Sequence, residues 1–201
     1  MLDLILWITS GVLLGLSSIP VARLPKPRLF WGAAWLDPTS IPWMVGFLLY
    51  GPEVALISSV VGTIGIWKLS QELAPALSAG MKLLGASCVW VTVALIAVYY
   101  WGGRYPLYQI DSVQFASALA LLGGLVRTAI IAPIDYLWSI PHHHFLAERR
   151  TYSRTEILAE FGGAPRYVIV MTLYNLWQSL FDFVVPWLVL FPTGLAKAFT
   201  S

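Results

Sequence analysis

Residues 36–68, LDPTSIPWMVGFLLYGPEVALISSVVGTIGIWK, constrain the fold of this chain more than any other stretch. The run is apolar, entered through Asp37-Pro38-Thr39-Ser40, broken once at Gly51-Pro52-Glu53 and left through Trp67-Lys68. One spanning helix needs about 20 apolar residues to cross a hydrocarbon core of about 30 Å. This run is too long for one straight helix and short for two full ones. Gly-Pro at the break imposes a kink or a tight turn. The carboxylate of Glu53 belongs at an interface or in a polar cavity, not in lipid. Two short helices joined by a tight turn fit best, with the open ends, Asp37 and Lys68, on the same membrane side.

The rest of the chain has the same character. Its residues are 58% hydrophobic and 11% charged, against about 25% charged in soluble domains. That predicts an all-α, multi-pass protein of the cell membrane, with residues 1–201 forming one domain surrounded by lipid bilayer. A net charge of +2 without any basic run gives no sign of a nucleic-acid partner. The one cysteine, Cys88, lies in an apolar stretch; it excludes an internal disulfide and reads as a packing residue. The N-terminal run lacks a basic n-region and a small-residue cleavage site, which predicts a retained helix rather than a signal peptide.

Six transmembrane helices are expected, at about residues 4–19, 41–50, 53–68, 79–101, 112–140 and 166–190. Pro20 ends the first, Pro133 interrupts the fifth and Pro192 stops the sixth; Ser70-Gln71-Glu72 and Pro75 make the turn before the fourth. A short interfacial helix is expected over residues 153–161. In the first helix Gly11 and Gly15 are four apart on one face. Small residues so spaced let another helix backbone approach closely, which drives association in lipid. The partner is either another protein or a helix of the same chain.

The polar residues inside the apolar segments carry the functional information. Asp37 opens the second helix, Lys68 closes the third, Asp135 is near the end of the fifth, and Asn175 and Gln178 fall in the first half of the sixth. With six spans, all five belong to one half of the bilayer. Polar side chains at that depth must face a partner or a wet cavity. A cavity opening toward the first loop is expected; a purely structural hydrogen-bond network is the alternative. That loop combines Arg23, Lys26 and Arg28 with Phe30, Trp31 and Trp35, a composition that suits a lid as well as an ordinary interfacial belt. Two charges lie deeper. Arg127 is about 12 Å further in than Asp135, and Asp182 about 24 Å past Arg166. Those depths allow a buried Arg127–Asp182 ion pair locking two helices, with a substrate carboxylate or phosphate at Arg127 as the sharper alternative.

No catalytic or metal motif emerges. His142-His143-His144 are consecutive and do not converge on one ion, and no further histidine completes a site. Phosphate-cradle, nucleophile-elbow and HExxH patterns are missing from the sequence. No enzyme activity, cofactor or metal is expected.

The segment DPTSIPWMVGFLLYGPEVALISSVVG resembles the second and third helices of the substrate-binding membrane subunits, or S components, of energy-coupling factor (ECF) vitamin transporters, the riboflavin-type group most closely. The residues carrying the resemblance are Asp37, Ser40, Pro42, Gly46, Gly51-Pro52 and Gly62. RTAIIAPIDYLW is similar to that family's fifth helix, with Asp135-Tyr136 where Asn-Tyr is usual. LYNLWQSL is similar to its sixth, with Asn175 matching an Asn and Gln178 standing where riboflavin binders carry a Lys. The Lys-Asn pair of those binders falls near Gly62-Thr63, and Lys68 is displaced from it by more than a turn. The resemblance implies a six-helix bundle that captures a vitamin-like small molecule near the outer face. It also implies docking on an ECF transmembrane scaffold subunit driven by two cytoplasmic ATPases, through a small-residue motif that Gly11 and Gly15 match in kind. The family places the first, third and fifth loops outside, whereas their Lys and Arg content would place them in the cytoplasm by the positive-inside rule.

Two functions follow as expectations. One is solute capture for an ATP-driven importer, with Trp31, Trp35, Trp67 and Trp138 supplying stacking area. Asp37, Lys68, Asp135, Asn175 and Gln178 would orient polar edges. The other is a non-transporting membrane scaffold of the rod-shape-determining type, with a similar six-helix fold and an empty or collapsed cavity.

Overall fold

The structure is a computed structural model that describes residues 2–24, 38–70, 73–107, 109–134, 136–137 and 153–199. Most of those residues are helical, with no strand among them. The elements are α1 (Leu2–Ala22), a 3-10 turn (Pro38–Ser40), α2 (Ile41–Tyr50), α3 (Pro52–Ser70), α4 (Leu73–Trp101), α5 (Val113–Ile134), α6 (Arg154–Phe161), α7 (Ala164–Leu190) and α8 (Leu195–Ala198). By length and composition four stretches among the described residues can cross a membrane: Leu4–Ala22, Gly80–Trp101, Val113–Ile134 and Ala164–Leu190. The expectation was six. Of the other two expected spans, α2 is ten residues long and rises only about 15 Å, half the hydrocarbon core. α3 is bounded by Glu53 and Lys68 and interrupted by Ser58, Ser59 and Thr63.

α2 is the centre of the assembly. Its residues Pro42, Trp43, Met44, Gly46, Phe47, Leu48 and Leu49 are buried, and it packs against α1, α3 and α7. A helix apolar all round is stable only when covered all round. The chain reverses at Gly51, whose φ of 102° lies in the left-handed region that a Cβ disfavours. The following Pro52 starts α3, where a missing N–H costs no helical bond. The connection after α4 closes this end: Leu107 N–H donates to Leu48 O at 3.2 Å, and Trp187 Nε1 donates to Ile110 O at 3.0 Å.

Around α2, the closest pairings are α1 with α3, α5 with α7, and α4 with both α3 and α5. The outward faces are apolar, including Leu13 and Leu16 on α1, Leu95 and Val98 on α4, Leu125 on α5 and Leu173 on α7. Soluble proteins do not expose such surfaces.

Prolines act less strongly as terminators than the sequence suggests. α1 continues past Pro20 to Ala22, because only the last turn loses a bond. α4 begins at Leu73, so Pro75 falls in its first turn, where the backbone N–H would be unpaired anyway. Pro133 and Pro186 lie within α5 and α7. The short helix expected over 153–161 is α6, started by a capping box between Ser153 and Glu156 and ended by Gly162.

Candidate functional site

Most hydroxyls in the long helices spend their hydrogen bond on their own preceding turn. Ser18 donates to Gly15 O, Ser58 to Ala55 O, Ser87 to Leu83 O, Thr128 to Gly124 O and Ser179 to Asn175 O. Such bonds satisfy a hydroxyl without recruiting another helix. Ser40 departs from this. It is the N-cap of α2, a position where serine normally bonds the first-turn amides, yet it makes no side-chain cap. Its Oγ instead donates across the bundle to Asp182 Oδ1 at 2.6 Å.

Asp182 is the hub of a polar cluster. Gln178 Nε2 donates to the same Oδ1 at 2.7 Å, and Arg127 Nη1 lies 3.5 Å from Oδ2. Asp182 and Arg127 are 2% and 7% exposed. The α7 contributors Tyr174, Gln178 and Asp182 are spaced at i, i+4 and i+8, which puts them along one helical face. Arg127 reaches them because α5 approaches both neighbours closely. A Cβ on Gly123 would lie 2.9 Å from the Val89 Cα of α4, and one on Gly124 would lie 3.1 Å from the Ser179 Cβ of α7. The guanidinium lies over Gly85 of α4, where a Cβ would come within 2.8 Å of Nε. Ser40, Lys82, Arg127, Tyr174, Gln178 and Asp182 together line a recess of about 20 Å³, room for one water-sized group.

The sequence-derived candidates divide. Gln178, Arg127 and Asp182 line this recess. Asn175 is 1% exposed, on the same helix, and its Nδ2 has no hydrogen-bond partner among the described residues, but it does not line the recess. Trp67 is 52% exposed and Lys68 is exposed; both belong to the last turns of α3, and neither lines the recess. Trp31, Trp35, Asp37, Asp135, Trp138 and His142 to His144 lie outside the described residues.

Gly11 and Gly15 face α3. A Cβ on Gly11 would stand 2.6 Å from Ile57 Cγ2, and one on Gly15 2.6 Å from Ser58 O. The small-residue stripe is therefore covered within the chain, because α1 and α3 pack backbone against backbone.

Sequence reasoning does not single out Lys82 or Tyr174. For Lys82 a signal exists: a cation inside the apolar fourth helix must find a partner or a wet cavity. Tyr174 offers none, since tyrosine is ordinary in membrane helices. Compared with models of protein families, with characterised proteins and with solved structures, the chain matches none.

Proposed function

We propose that this chain is a multi-pass membrane protein, a bundle of six membrane-embedded helices of which α2 is too short to span, that captures a small, vitamin-like metabolite as the substrate-binding subunit of an ECF-type importer. The observation supporting this is the convergence of Ser40, Lys82, Arg127, Tyr174, Gln178 and Asp182, from four separate elements, on one recess among membrane-length helices. Ionisable groups at such depth cost several kcal/mol unless partnered, and their retention marks a functional site by default. ATP would be hydrolysed by two cytoplasmic partners docked through a membrane scaffold subunit. The test is mass spectrometry of whatever small molecule accompanies the full chain through purification in detergent. A single compound released on denaturation at about one per chain is the expected result.

A second reading is favoured by the size of the recess. Ligand pockets measure about 300–1,000 Å³, so capture requires this cluster to widen. A membrane scaffold of the rod-shape type needs no such opening. On that reading nothing co-purifies, and affinity capture returns wall-synthesis proteins rather than ATPases.

A further inference from the structure

The hydrogen-bonding capacity of Arg127 at the recess is only partly used. Among the described residues of the lining Asp182 supplies the one carboxylate, and it is well used: Oδ1 accepts from Ser40 and Gln178, and Oδ2 faces Arg127. Arg127 is under-used. A guanidinium has five N–H groups in a rigid fork, and carboxylate bonds to it ordinarily measure about 2.7–2.9 Å. Here the approach is 3.5 Å, and the buried Nε has no hydrogen-bond partner among the described residues. Lys82, Tyr174, Gln178 and Asp182 each have further interactions. A buried donor left unmade costs about 1–3 kcal/mol, more when charged. The recess that Arg127 helps to line admits one water-sized group, one oxygen of an oxyanion head and not a ring.

We propose that the recess takes the anionic end, carboxylate or phosphate, of a small metabolite, with Arg127 as its principal donor and Gly85 leaving the guanidinium its place. The assignment rests on the capture reading and sharpens it to an acidic ligand. Asp182 and Gln178 act as positioning residues that hold the guanidinium at the recess wall.

The full chain is purified in neutral maltoside detergent and titrated with benzoate, phenyl phosphate and uncharged benzamide, with thermal unfolding as readout. Benzoate or phenyl phosphate is expected to raise the midpoint with concentration, and benzamide to leave it unmoved. Removing Arg127 alone would strand Asp182, so the comparison uses the neutral pair Arg127→Gln/Asp182→Asn, which removes both charges together. Anion affinity should fall about 10- to 100-fold in that variant. Equal binding of benzamide, or undiminished anion binding by the double variant, overturns the proposal. A co-purifying compound that is neutral or cationic also overturns it while leaving solute capture standing. The absence of both a co-purifying compound and any anion response removes capture itself. Recovery of about one phospholipid per chain, displaced by phenyl phosphate, overturns the metabolite assignment in favour of a lipid headgroup.

Discussion

Replacing Asp182 with leucine isolates the energetics of the polar cluster. The substitution removes the acceptor of Ser40 and Gln178 and the counter-charge of Arg127 in one step. Breaking a buried ion pair by deleting one partner costs about 3–5 kcal/mol, because the surviving charge stays buried. The 3.5 Å separation argues for the lower end of that range. Two hydrogen bonds to a charged acceptor add about 1.5–3 kcal/mol each before relaxation. These contributions share one carboxylate and are not additive, so about 4 kcal/mol is the expected total. For a chain of this length that lowers the thermal midpoint by about 8–16 °C. Replacing both partners, Arg127→Met with Asp182→Leu, leaves no stranded charge and should recover most of the loss. The assay is a double-mutant cycle by thermal or denaturant unfolding in detergent. If Asp182→Leu stays within about 1 kcal/mol of the parent, or the double variant is less stable than the single, the cluster is not a coupled buried network.

Further outcomes follow from other contacts. Gly15→Ala should destabilise by about 1–3 kcal/mol, since its Cβ would meet the Ser58 carbonyl at 2.6 Å; a cross-link between α1 and α3 that forms equally well in the variant would contradict this. Gly51→Ala should cost about 1–2 kcal/mol through its φ of 102°, measurable as a shift of the unfolding midpoint. Tyr105, in the connection after α4, has its pKa raised from 10.0 to about 12, by burial first and by the Glu53 carboxylate second. Between pH 10 and about 12 the folded chain therefore holds a proton that the unfolded chain has released, and stability falls as pH rises through that window. Tyr105→Phe should abolish this alkaline loss. It should cost little at neutral pH, because the buried hydroxyl has no hydrogen-bond partner among the described residues; alkaline unfolding curves of the two proteins compare directly.

What the sequence determined by itself is everything that depends on position along one helix. Excluding water from long apolar runs forces backbone bonds to close locally, hence an all-helical chain with a turn at Gly51-Pro52. A rise of 1.5 Å per residue then converts sequence number into depth, which is enough to bring Arg127 and Asp182 within mutual reach. Depth says nothing about direction around the helix axis. Only the packing of neighbours decides that Gly11 and Gly15 turn toward α3, and that Lys68 turns outward while Lys82 turns into the recess. The same packing turns the Ser40 hydroxyl from its own helix start to a carboxylate on α7. Rotation about an axis is set by contacts between segments far apart in sequence, and no local pattern encodes it.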